Sequence, residues 1–129
     1  MNHDQGQAII ALVLALGIAA TAIVGLRAAQ DRIVLGARAQ RAGEAAVEAA
    51  AQSVADAYAA RPAAARELVV DPRVLETARA AAEELARENG GRDVEGLELS
   101  CNSDRIEARL VLTGYSHHAG FRAPECSRP

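Results

Sequence analysis

Cys101, Cys126, His117 and His118 are the residues of this 129-residue chain with the most chemistry to offer. Two thiolates and two imidazoles would make up a tetrahedral zinc set. The spacing works against it. There is no Cys-x-x-Cys, no His pair stands at i,i+3 or i,i+4, and neighbouring side chains of an extended segment point to opposite faces. A Cys126 nucleophile with His117 or His118 as its base would also need an oxyanion hole, and no motif supplies one. The acidic residues fall on exposed helix faces and strand edges, with no pair placed for acid–base work. Asn89-Gly90-Gly91 reads as a helix end, and no phosphate-binding loop or dinucleotide fingerprint is present. The expectation is therefore no catalytic residue, no metal, no cofactor and no small-molecule substrate.

The two cysteines fit a structural pair better. A Cys101–Cys126 bond would close a loop of about 25 residues, worth roughly 3–4 kcal/mol in the chain-entropy model. Such a bond needs an oxidising compartment and hence an exported body. The alternative is two free thiols, one half-buried on a strand.

What must position these residues is a small body behind a long apolar segment. Residues 8–26 read AIIALVLALGIAATAIVGL, without a charge and with Thr21 as the one polar side chain. As a helix at 1.5 Å per residue this spans roughly 28 Å, about the hydrocarbon thickness of a bilayer. The rest of the chain has few large apolar groups to bury such a helix, since aromatics are 2% of the residues and Trp is absent. A cleaved secretory signal would want a basic start and a break after the apolar run. Residues 1–7 carry no Lys or Arg, and helical character continues past Leu26. A retained transmembrane anchor is expected.

Ala is by far the commonest residue and all 14 basic residues are Arg, a composition that favours helix. Residues 27–60 continue without Pro. Val47, Val54 and Tyr58 share one face, and Gly36, Gly43, Ala50 and Ala57 form a stripe at seven-residue spacing, which suits close helix packing. Arg61-Pro62 ends or kinks this helix. A second helix follows, with Asp71 as N-cap, Pro72 at its first position, and Val74, Ala78, Ala81, Ala82 and Leu85 on its apolar face. Glu76, Arg79, Glu83 and Arg87 face mostly solvent, and Asn89-Gly90-Gly91 ends it.

The period then changes to two. Leu97, Leu99 and Cys101 alternate with Glu98 and Ser100, and Ile106, Ala108, Leu110 and Leu112 alternate with Glu107, Arg109, Val111 and Thr113, with Asn102-Ser103-Asp104 as turn chemistry between them. This predicts a hairpin with strands near 94–101 and 105–114, covered by the helix at 72–89, because a lone hairpin is marginal. The tail from Tyr115 to Pro129 is expected to be a loop. The fold class is α+β. The expected order is a flank at 1–7, a transmembrane helix at 8–26, an Ala/Arg-rich helix at 27–60, an αββ head at 61–114 and a C-terminal loop at 115–129.

Charge bears on partners and orientation. A net charge of -3 with no basic run beside aromatics argues against nucleic acid. Arg27, Arg32, Arg38 and Arg41 follow the apolar segment, while only Asp4 and the α-amino group precede it. By the positive-inside rule this places the body in the cytoplasm, against the exported body that a disulfide implies.

Gly6-Gln7-Ala8 opening the apolar helix, the Ala-rich segment at 37–59 (ARAQRAGEAAVEAAAQSVADAYA) and the run at 78–91 (ARAAAEELARENGG) leading to LELSC resemble the TadE/TadG-like pilus-assembly proteins of the tight-adherence (Flp) secretion system. The resemblance covers most of residues 5–113. It implies a pilin-like fold, with an N-terminal helix in the bacterial cytoplasmic membrane, a small extracytoplasmic head, and a pseudopilin or minor-pilin role among other pilus subunits, with no enzyme activity. It also implies possible processing between Gly6 and Gln7. The fifth residue after that point is Ala11, where related proteins favour Glu. Gly17 and Gly25 are the small residues expected to pack against other helices in the membrane. Two other readings stay open: a single-pass scaffold or secretion accessory with a cytoplasmic body, and a small secreted domain released by signal cleavage.

Overall fold

The computed structural model describes residues 3–127, with side chains described from Gly6 onward. Helix α1 runs His3–Ala60. A single 3-10 turn, Pro62–Ala64, and a one-turn helix α2, Ala65–Leu68, lead to α3, Pro72–Glu88. Three strands follow, β1 at Gly96–Asn102, β2 at Arg105–Leu112 and β3 at Tyr115–Arg122, and a 3-10 turn at Pro124–Ser127 closes the chain. The strands form one antiparallel sheet in the order β1-β2-β3. The chain is thus α+β.

Contacts divide it into two compact units, one up to Gly36 and one from Ala37 onward. The first is helix alone. Its large apolar side chains, from Ile9 to Leu26 and again at Ile33, Val34 and Leu35, are all exposed. Of the expected flank at 1–7, residues 1 and 2 lie outside the described residues, and His3 already begins α1. Thr21, the one polar side chain of the apolar stretch, donates back to the carbonyls of Ile18 (2.9 Å) and Gly17 (3.1 Å). That satisfies its hydroxyl within the helix, as a hydrocarbon surrounding requires.

The second unit is the head. It begins inside α1, at Ala37, rather than at residue 61 as the sequence boundaries suggested. The expected stripes explain why. Ala42, Gly43, Ala46, Val47, Ala50 and Val54 are buried, and Ala57 and Tyr58 are half-buried, so this part of α1 supplies core. Gly36 alone among the stripe residues is exposed.

Arg61 ends α1 and Asp71 starts α3. The Asp71 carboxylate accepts from the Arg73 amide at 2.9 Å, capping the first turn, with Pro72 in the position where a missing N–H costs nothing. The buried face of α3 is Val74, Ala78, Ala82 and Ala86. Ala81 and Leu85, expected on that face, are half-buried at its flank. Gly90 takes a left-handed φ of 74°, and the Gly91 amide returns to the Ala86 carbonyl at 2.7 Å, closing the helix. Gly91 also meets Ala42 of α1, where a Cβ would lie 2.8 Å from the alanine methyl.

The period-two residues behave as their alternation predicts. Ile106, Ala108, Leu110 and Leu112 are all buried, and Leu97 is buried opposite Leu110. One expectation fails. The segment from Tyr115 is not a loop but β3, paired along its length with β2 from Leu112↔Tyr115 to Arg105↔Arg122. The hairpin is therefore a three-stranded sheet. The turn between β2 and β3 is Thr113-Gly114, both at positive φ (53° and 76°), as a tight two-residue hairpin connection requires. Gly120 lets β3 lie close, since a Cβ there would stand 2.6 Å from the Ile106 carbonyl oxygen.

Candidate functional site

Within the head, chemistry-bearing side chains gather at the C-terminal end of the sheet. Cys101 is the penultimate residue of β1 and Cys126 lies in the final 3-10 turn, and their sulfurs are bonded, with Cα atoms 5.4 Å apart and a sequence separation of 25. Among the described residues no cysteine is free. Both sulfurs are therefore spent, so neither can ligate zinc or act as a nucleophile. No group of three or more His, Cys, Asp or Glu among the described residues is placed to hold a metal ion.

Four further contacts fix the same turn. The Arg66 guanidinium on α2 donates to the Cys126 carbonyl from Nη2 at 2.9 Å and from Nε at 3.3 Å. The Tyr58 hydroxyl of α1 donates to the Glu125 carboxylate. The Ala123 amide donates to the Asp104 carbonyl at 2.6 Å, and Arg122 pairs with the Asp104 carboxylate at 3.1 Å. The Tyr58 ring also packs on Phe121 of β3, with centroids 5.5 Å apart. The last turn is thus tied to α1, to α2, to the β1–β2 connection and, covalently, to β1. Sequence reasoning found the cysteines but missed Tyr58–Glu125 and Arg66, whose partners lie at least 60 residues away.

His117 and His118 separate as an extended strand demands. His118 is exposed on the outer face of the sheet, beside Ser116, which accepts from Arg109 at 3.1 Å. His117 is 5% exposed and faces α1. Its ring stands against Gly43 so closely that a Cβ on that residue would overlap the imidazole. Among the described residues, His117 Nε2 is the buried side-chain nitrogen or oxygen without a hydrogen-bond partner.

Shallow depressions line the outer sheet face and the α1–β3 seam, with Glu98, Glu107, Arg109 and His118 among their walls. On the same outer face Ser116 Oγ stands 3.4 Å from His118 Nε2.

In the first unit, Gly6 and Gln7 lie within α1, and Gly17 and Gly25 have open space where a side chain would project. Among the described residues nothing lies within 4 Å of a Cβ on either glycine. The helix is long and apolar enough to cross a membrane, and no part of its most apolar window is buried.

No family model, no curated protein and no solved structure matches this chain.

Proposed function

We propose that this protein is a membrane-anchored, pseudopilin-like structural subunit in assembling or anchoring a Tad/Flp-type bacterial pilus. The observation that carries the proposal is one helix with two different duties. Its first part presents apolar side chains on all sides, and its second part supplies core to a small head closed by a disulfide. The first part suits a bilayer. The second suits an oxidising compartment, and a head outside the cytoplasmic membrane meets that need. The work is mechanical rather than catalytic: the anchor holds the subunit in lipid, small residues such as Gly17 and Gly25 admit neighbouring helices, and the head selects partners. The N-terminal processing site at Gly6-Gln7 belongs to the same proposal.

A second reading has its own observation. Arg27, Arg32, Arg38 and Arg41 follow the apolar segment, and a cytoplasmic body in a single-pass scaffold satisfies them directly. Membrane-impermeant thiol labelling of intact cells separates the two. The pilus reading expects Cys101 and Cys126 to label in intact cells only after reduction. Labelling without reductant, and only after lysis, would put the body inside and end that reading. Flotation of the full chain with lipid vesicles tests the anchor independently of orientation.

A further inference from the structure

We infer that His117 is an acid-sensitive latch between α1 and the edge strand β3. The ring is 5% exposed, its Nε2 has no hydrogen-bond partner, and it rests on the backbone of Gly43. A neutral imidazole tolerates this place when its proton sits on the other nitrogen, because Nε2 then presents only a lone pair to the glycine. An imidazolium carries N–H on both nitrogens. A second N–H, charged and pointing into the Gly43 backbone, has no acceptor there, and leaving a buried charged donor unpaired is costly. On the α1 side the ring meets the Gly43 backbone. It escapes only if β3 lifts away from α1.

No surrounding charge offers an alternative. On α1, Arg41, Glu44 and Glu48 are exposed, and Glu44 accepts from Gln40 at 2.8 Å. On β2, Glu107 and Arg109 lie on the outer face, and His118 on β3 faces outward with them. The end of α3 reaches the neighbouring Ala42 through uncharged Gly91.

Opening must fray the ladder that pairs β3 with β2 along its length, and its extent is limited by what holds each end of β3. Its C-terminal end is fastened by the disulfide, by Ala123 to Asp104 and by Arg122 to Asp104. Its N-terminal end leaves the Thr113-Gly114 turn with Tyr115 exposed. Acid therefore frees the stretch from Tyr115 to Ala119 and leaves Phe121 to Ala123 in place. Histidine suits such a device because its charge changes within the range of ordinary environmental pH.

The test is amide hydrogen exchange of the full chain in detergent micelles at pH 7.5 and 5.0, corrected for intrinsic exchange rates. The wild type should lose protection over residues 115–119, with a slope of up to about tenfold per pH unit for one coupled proton. Phe121 to Ala123 should keep theirs. His117→Leu and His117→Gln should show no acid loss in that stretch, while His118→Gln, altered on the outer face, should behave as wild type. If Leu does not fold at 117, Gln carries the comparison. Equal acid loss in the His117 variants, or no acid loss in the wild type, overturns the latch.

Discussion

The imidazole of His117 stands against the backbone of Gly43, in contact so close that a methyl group on the glycine would fall within the ring. Gly43 belongs to the seven-residue stripe Gly36, Gly43, Ala50, Ala57, and the stripe has two fates. From Gly43 onward it is covered by the head, whereas Gly36 is exposed with nothing within reach of a Cβ. The same substitution should therefore have opposite signs one repeat apart. Gly43→Ala should destabilise the head by about 1–3 kcal/mol through overpacking. Gly36→Ala should stabilise the helix by roughly 0.5–1 kcal/mol, because only the glycine's conformational freedom is lost. Thermal melts of the two variants in the same detergent read the contrast directly. A Gly43→Ala protein as stable as wild type would mean that α1 and β3 stand further apart than described.

The disulfide should account for a large share of the head's stability. Cys101→Ser with Cys126→Ser removes a cross-link over 25 residues, expected to cost about 3–4 kcal/mol. The measure is denaturant unfolding of the double variant against wild type, each with and without reductant. Wild type should lose stability on reduction, and the double variant should be indifferent to it. A wild type equally indifferent would mean the sulfurs are not bonded in the folded protein.

Much of this organisation is written locally. The apolar stretch of α1 is legible because residues 8–26 carry no charge, and α3 because Asp71-Pro72 and Asn89-Gly90-Gly91 bracket it with cap chemistry. Strands β1 and β2 are legible because large aliphatic residues recur at every second position. Strand β3 fails every one of those tests. Its inward residues are His117, Ala119 and Phe121, its interior holds Gly120, and its turn puts a β-branched Thr113 at positive φ. What makes it a strand is the free edge of β2 and the glycine on α1 that admits the histidine, and neither lies nearby in the sequence. The Cys101–Cys126 pairing could be proposed from the sequence only because two cysteines allow a single pairing. Tyr58, Arg66 and Glu125 carry no such arithmetic.

Tyr58 offers a way to weigh the non-covalent part of that fastening. Its hydroxyl donates to Glu125 and its ring packs on Phe121 at 5.5 Å between centroids. Tyr58→Phe keeps the ring and removes the donor, and should cost about 1 kcal/mol for a half-buried hydrogen bond. Tyr58→Ala removes both, and should cost about 3 kcal/mol or more by analogy with other large-to-small aromatic changes. Glu125→Gln retains an acceptor oxygen and should fall below the Phe variant. Chemical denaturation of the three gives the order, and a Phe variant as damaging as Ala would show that the hydroxyl, not the ring, holds the terminal turn.

The last expectation concerns the anchor. Among the described residues nothing lies within 4 Å of a Cβ on Gly17 or Gly25, so filling them should leave the head untouched. Apolar surface gains nothing by moving from lipid to a neighbouring helix, and close approach through small residues must supply the attraction. Gly17→Leu with Gly25→Leu should therefore keep the wild-type melting temperature and still float with vesicles, yet, if the proposed pilus role holds, recover less of its partner subunits on co-purification from membranes. Unchanged recovery with an intact head would remove these two glycines from the packing face.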